Sequence, residues 1–289
     1  MLTPTIVLLF MFCYMPIYGI VIAFQNYKIG DPILSLTGGT TWVGLKNFID
    51  FFKSIFFKQV VGNTLRLSIK TLLISFWVPV VFAVIINEIR IGLYKRVSQT
   101  FVYLPYFVSV VVVVSMLMTM TSQEGFIGKI VEVLNGGRYR NIMDSSSAFD
   151  WLYIGSNIWQ TFGYNSIIYM AAIAAIDPTL YEQATVDGAN RLHKIIRITI
   201  PCILPTITIL LILAVGGMLG SYTEKILLMI NPNIMPRAQV IGTYIYEVGL
   251  KSNRYSYAAS VGIFTNIINF GLVFGANAIS RKISDTSLW

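Results

Sequence analysis

Asp177-Pro178-Thr179-Leu180-Tyr181-Glu182-Gln183-Ala184-Thr185-Val186-Asp187-Gly188-Ala189-Asn190 is a polar interruption between two apolar stretches, running on to Ile198-Thr199-Ile200-Pro201. Its punctuation predicts two short helices joined by a tight turn. Asp177 suits an N-cap, Pro178 suits the first helical position, and Gly188 can end the helix in a left-handed conformation. Asn190 then caps a second helix, in which Leu192, Ile195, Ile196 and Thr199 keep helical spacing while Arg191, Lys194 and Arg197 take a neighbouring face. A connector with this much local structure reads as a docking element.

The chain on either side of it belongs in a bilayer. Of its 289 residues 55% are apolar and only 12% charged, and the mean hydropathy is +0.70. Those values fit an all-α integral membrane protein rather than a soluble core. Runs long enough to span hydrocarbon fall at about 4–24, 65–86, 101–120, 151–176, 203–219 and 257–280, six spans in a single transmembrane domain over 1–289. The first lacks a basic n-region and an A-x-A site, so it reads as a span and not as a signal peptide.

Six spans place both termini on one side. The long connections at 25–64, 121–150 and 220–256 then share one side; the short ones at 87–100 and 177–202, with the tail from Arg281, share the other. Arg90, Lys95, Arg96, Arg191, Lys194, Arg197, Arg281 and Lys282 concentrate in the short set, which the positive-inside rule makes cytoplasmic. In the first long connection Leu45, Phe48, Ile49, Phe52, Ile55 and Phe56 recur at helical spacing, with Lys46, Asp50 and Lys53 on another face. This predicts an amphipathic helix that either lies in the membrane interface or covers the ends of the bundle.

The chemistry of catalysis is missing from the chain. It has no G-x-x-x-x-G-K-[ST], H-E-x-x-H or G-x-S-x-G pattern, and His193 is its single histidine. The net charge of +8 is scattered over short connections, with aromatics at span ends, so nucleic acid is not an expected partner. Arg66 and Lys70, at i and i+4 in the second span, either snorkel to headgroups or face a pathway and attract anionic solute. Trp159, Tyr164, Asn165, Ser166 and Tyr169 in the fourth span mix aromatic faces with hydrogen-bonding groups, a combination suited to sugars and also to helix packing. Gly216, Gly217 and Gly220 close the fifth span and Pro201 and Pro205 open it, which serves either packing or gating.

The polar loop resembles the EAA motif of binding-protein-dependent ABC importer permeases: E-A-A, three residues, G, nine residues, I-x-L-P. Glu182-Gln183-Ala184, Gly188 and Ile198-Thr199-Ile200-Pro201 keep every spacing, with Gln183 for Ala and Ile200 for Leu as departures. Tyr14-Met15-Pro16, Trp42-Val43-Gly44, Asn63-Thr64-Leu65, Tyr103-Leu104-Pro105, Tyr222-Thr223-Glu224, Asn231-Pro232, Tyr255-Ser256-Tyr257 and Ser287-Leu288-Trp289 are similar to the oligosaccharide and polysaccharide branch of the maltose-type permeases.

The resemblance implies a type I importer permease fold with a cytoplasmic coupling helix, in a bacterial cell membrane. The implied partners are a second permease subunit, two ATPase subunits and an extracytoplasmic solute-binding protein. ATP and magnesium would be held by the ATPases, and this chain would bind no cofactor and catalyse nothing. Glu182, Gln183, Ala184, Asp187, Gly188 and Ala189 would form the ATPase coupling surface. Trp159, Tyr164, Asn165, Tyr169, Glu224, Arg66 and Lys70 are the pathway candidates, for an oligosaccharide or else a polyol or glycerol-phosphate. A receptor subunit without transport is the alternative of a different class.

Overall fold

Within hydrocarbon every backbone N–H and C=O must be satisfied internally, and the apolar runs of this chain do so as helices. The computed structural model describes residues 2–33, 41–89, 91–220 and 223–284; Arg90 of the basic set, Tyr222 and the terminal Ser287-Leu288-Trp289 lie outside them. The helices in chain order are α1 (Thr3–Phe24), α2 (Lys46–Lys53), α3 (Phe57–Asn87), α4 (Gly92–Tyr103), α5 (Val110–Thr121), α6 (Phe126–Leu134) and α7 (Ser146–Ala174). They continue with α8 (Pro178–Val186), α9 (Arg191–Gly217), α10 (Thr223–Met229), α11 (Met235–Ala238), α12 (Ile241–Tyr246) and α13 (Tyr255–Ser284).

Five stretches among the described residues are long and apolar enough to cross a bilayer: Thr3–Phe24, Phe57–Asn87, Val110–Leu134, Arg191–Gly217 and Tyr255–Lys282. Helix α7, on which the fourth expected span falls, has 29 residues and is long enough. It is not among the five because Asn157, Gln160, Thr161 and Asn165 dilute its hydropathy.

Two expectations need correction. A single span over 101–120 does not form: α4 ends at Tyr103, Leu104–Phe107 makes a 3₁₀ turn, and α5 starts at Val110. Pro105 removes a ladder donor there, and Ser109 caps the new helix by accepting from the Val112 N–H at 3.3 Å. Conversely, no break separates the second loop helix from the fifth span. Helix α9 runs from Arg191 through Pro201 and Pro205, with one wide turn at Ile195–Thr199 in which the Ile200 N–H donates to the Ile195 carbonyl. The wider turn accommodates the proline ring and its missing donor without ending the helix.

The expected amphipathic helix is α2, but its anchor is a residue outside the predicted stripe. Phe51 is buried among Val60, Ile241, Tyr244, Tyr257 and Val261, whereas Ile49, Phe52 and Phe56 are exposed. Asn47 donates to the Ala23 and Gln25 carbonyls at 2.8 and 3.1 Å, tying α2 to the end of α1. The helix therefore covers one end of the bundle. A second cluster (Val80, Ala83, Tyr169, Ile173, Ile203, Ile207) joins α3, α7 and α9 nearer the opposite end, which carries α8. Between them Leu67, Val114, Tyr153, Ile226 and Met229 bring α10 into the bundle against α3, α5 and α7.

Glycines set two close approaches. A Cβ at Gly163 would collide with the Val102 carbonyl of α4, and one at Gly216 with the Val273 side chain of α13. Gly216 is therefore a packing residue. Large side chains such as Phe10, Phe12, Phe270 and Phe274 on α1 and α13 remain exposed, as on helices solvated by lipid tails.

Candidate functional site

Helices α3 and α7 each carry a polar stripe at helical spacing, and the fold turns the stripes toward each other. Thr64, Ser68, Thr71 and Ser75 lie at steps of four, three and four on α3; Asn157, Thr161 and Asn165 lie at steps of four on α7. All seven line one cavity of about 260 Å³, closed on its third side by Leu213, Gly217 and Met218. The Ser68 hydroxyl donates to the Met218 carbonyl at 2.6 Å, and Thr64 Oγ1 accepts the Ile241 N–H at 2.8 Å. Thr71 Oγ1 and Ser75 Oγ are buried without a hydrogen-bond partner. Hydroxyls left unsatisfied along a cavity wall are binding capacity held in reserve for a polar guest.

This cavity does not stand alone. Asn157 and Thr161 also line a cavity of about 570 Å³, whose other walls come from Tyr106–Val110 and from Thr223, Glu224 and Lys225. Asn165, Ser75 and Phe76 are shared with a third, of about 160 Å³, which reaches Tyr169 and Pro79. The three follow α7 in sequence order, so its polar face borders one discontinuous polar track along the bundle.

Beside the track, Asp150 is 1% exposed and collects three cations. Arg66 Nη2 lies 3.2 Å from Oδ1, Lys70 Nζ 2.7 Å from Oδ2 and Arg237 Nη2 3.4 Å from Oδ2. Arg66 also donates to Asn63 Oδ1 at 3.2 Å and to the Arg237 carbonyl at 2.7 Å. Three positive charges and one negative give the cluster a surplus of two. Arg66 and Lys70 are both engaged by Asp150 and are not among the residues lining the three cavities; they hold α3 to α7 and α11. Asp150 and Arg237 carry no such signal in the sequence, because the partners lie 80 to 87 positions apart.

The polar loop has its predicted capping. Asp177 accepts the Thr179 N–H at 2.9 Å, and that bond holds its carboxyl below the usual carboxylate range. Gly188 has φ +75°, and the Ala189 N–H reaches back to the Ala184 carbonyl at 2.9 Å. Asn190 Oδ1 accepts the His193 N–H at 2.9 Å. Two further bonds fix α8 against α9: Lys194 Nζ donates to Thr185 Oγ1 at 2.7 Å, and the Tyr181 and Thr199 hydroxyls meet at 3.0 Å. Glu182, Gln183, Asp187 and Gly188 are exposed, with Ala184 and Ala189 partly covered. Val186, 89% exposed, stands with Leu180 and Leu192 as apolar surface on an otherwise polar loop.

The pathway candidates divide. Asn165 lines the central cavity, Tyr169 the smallest and Glu224 the largest. Tyr164 stacks parallel on Tyr106 with ring centroids 3.8 Å apart, at the rim of the largest. Trp159, 40% exposed, lies outside all three. The α3 stripe, Asn157 and Thr161 were not singled out by reading the chain, although their spacing is visible in it.

A family model described as binding-protein-dependent transport system inner membrane component matches residues 1–285. The chain belongs to this family. This binding-protein-dependent permease is 39% identical over 289 residues to the polygalacturonan/rhamnogalacturonan transport system permease protein YteP of Bacillus subtilis (strain 168), covering 100% of this chain and 89% of that one. Protein LplB of the same strain is 36% identical over 293 residues, covering 100% of this chain and 90% of that one. A chain in the crystal structure of a bacterial alginate ABC transporter, in complex with alginate pentasaccharide-bound periplasmic protein, matches with a TM-score of 0.89 at 38% identity. That match covers 100% of this chain and 95% of the other. The permease accordingly has the type I ABC permease fold, and it is a component of a membrane transport system.

Proposed function

We propose that this permease, with a second homologous permease subunit, forms the alternating-access pathway of an ATP-driven oligosaccharide importer supplied by an extracytoplasmic solute-binding protein. The observation that carries this reading is the pair of facing hydroxyl and amide stripes around the central cavity. A saccharide presents many hydroxyls and few strong charges, and a wall of Thr, Ser and Asn offers both donors and acceptors to them. Phe76 and Tyr153, in the same wall, suit the C–H faces of sugar rings. Relatives named for polygalacturonan, and a neighbour that is an alginate transporter, support the same class of cargo.

In this reading α7 joins the five apolar helices as a further membrane span, the fourth of six in chain order, and both termini are cytoplasmic. Helix α8 is the coupling helix: it docks in a groove of a partner ATPase, which binds ATP and magnesium, with Glu182, Leu180 and Val186 on the contact face. Its bonds through Lys194 and Tyr181 to α9 pass ATPase closure to the span that borders the cavity. Closure favours one of two discrete arrangements of the bundle, and hydrolysis resets it.

The test is uptake by the reconstituted importer. Asn157→Leu with Thr161→Val removes the polar groups shared by the two larger cavities at nearly unchanged volume. About 1.5 kcal/mol of lost hydrogen bonding corresponds to about tenfold slower oligosaccharide transport at limiting concentration. ATPase stimulation by the loaded binding protein should persist. Unchanged transport would remove the cavity from the pathway.

A further inference from the structure

Lys225, on α10, is 2% exposed, and its Nζ is buried with no hydrogen-bond partner. The ion pairs among the described residues all converge on Asp150, so no carboxylate among them answers this ammonium. Burying a charge without an acceptor is costly, and natural folds retain one where a partner arrives from outside. Lys225 belongs to the wall of the largest cavity, and the next residue, Ile226, to the wall of the central one. Helix α10 is thus the partition between the two, and a solute moving along α7 passes Lys225. Tyr106, stacked on Tyr164, is in the same wall and offers a ring face. Gln160 commits its Nε2 to the Val108 carbonyl at 2.9 Å, which turns its amide into a fixed acceptor. Glu224 is exposed and makes no ion pair with Lys225.

We propose that Lys225 is the carboxylate subsite of the pathway and that the cargo is an acidic oligosaccharide built from uronate units. This rests on the oligosaccharide reading above and deepens it. A carboxylate accepts from an ammonium in a charge-assisted bond about twice as strong as a neutral one, so a uronate satisfies Lys225 where a neutral sugar does not. Arg66 and Lys70 cannot serve in its place, since Asp150 holds both.

The experiment compares trigalacturonate with its methyl ester, the same rings without the charge, in the complete reconstituted importer. Lys225→Met keeps the chain length and deletes the ammonium. It should lower transport of trigalacturonate at limiting concentration by about tenfold while leaving the methyl ester within about twofold. Lys225→Arg should keep the preference for the acid. Equal loss for both sugars, or no loss for either, would overturn the subsite. The thermal midpoint of Lys225→Met should equal or exceed that of the wild type, because an unanswered buried charge has been removed; a fall would overturn the claim that the charge has no partner within the fold. Wild-type transport of arabinotriose without trigalacturonate would overturn the acidic cargo and leave the oligosaccharide reading standing. Transport of no saccharide at all would overturn both.

Discussion

Gly188→Pro is expected to abolish the stimulation of ATP hydrolysis by a cargo-loaded binding protein while leaving the permease inserted and folded. Gly188 sits at φ +75° and donates its N–H to the Thr185 carbonyl at 3.1 Å. Proline fixes φ near −65° and has no N–H, so both features are lost together, at a cost of about 3 kcal/mol concentrated in one turn. The Ala189-to-Ala184 bond that closes the helix end goes with them, and α8 leaves its angle to α9. A side chain at Gly188 collides with nothing in the bundle, since no atom lies within 4 Å of a Cβ there, so the effect stays in the turn and in the α8–α9 angle it sets. Glu182→Lys is the matching test on the contact face: Glu182 is exposed and makes no side-chain hydrogen bond or ion pair among the described residues, so reversing its charge should weaken ATPase association without disturbing the fold. Stimulation measured in proteoliposomes should fall at least about tenfold in both variants, corresponding to about 1.4 kcal/mol of coupling. Wild-type stimulation in both would remove α8 from the coupling path.

Asp150→Asn should destabilise the permease more than any other single polar change. The carboxylate is 1% exposed and faces three cations within 3.4 Å. Neutralising it converts a surplus of two charges into three with no anion among them. Removing one partner from a buried pair costs about 3–5 kcal/mol, and the lower end applies here because the cations keep some contact with solvent. Thermal unfolding of the detergent-solubilised protein reads the loss directly. Lys70→Met added to Asp150→Asn relieves part of the repulsion, so the double variant should be more stable than Asp150→Asn alone. A stability unchanged in Asp150→Asn would mean the cluster holds nothing together.

What could be read along the chain was whatever depends on near neighbours in sequence. The caps at Asp177 and Asn190 and the left-handed turn at Gly188 involve residues two to five positions apart, so composition and order already contain them. The break at Leu104–Phe107 was equally local, yet an apolar run hides it: hydropathy averages over a window and does not register one proline and one capping serine. The polar stripe of α3 was legible for the same reason as the caps. Its hydroxyls stand out less from an apolar run than the charges of Arg66 and Lys70 on the other face of the same helix.

A membrane bundle with a structured polar loop resembling that of importer permeases is already written in the order of the residues, because bilayer thickness and helix capping act over a few residues at a time. It took the packed fold to show that Arg66 and Lys70 answer to Asp150, that Phe51 rather than its amphipathic neighbours anchors α2, and that α3 and α7 border a polar track with Lys225 in its wall, unpaired among the described residues. Those facts join residues far apart in the chain, and pairing across such distances is chosen by packing, which no local pattern contains.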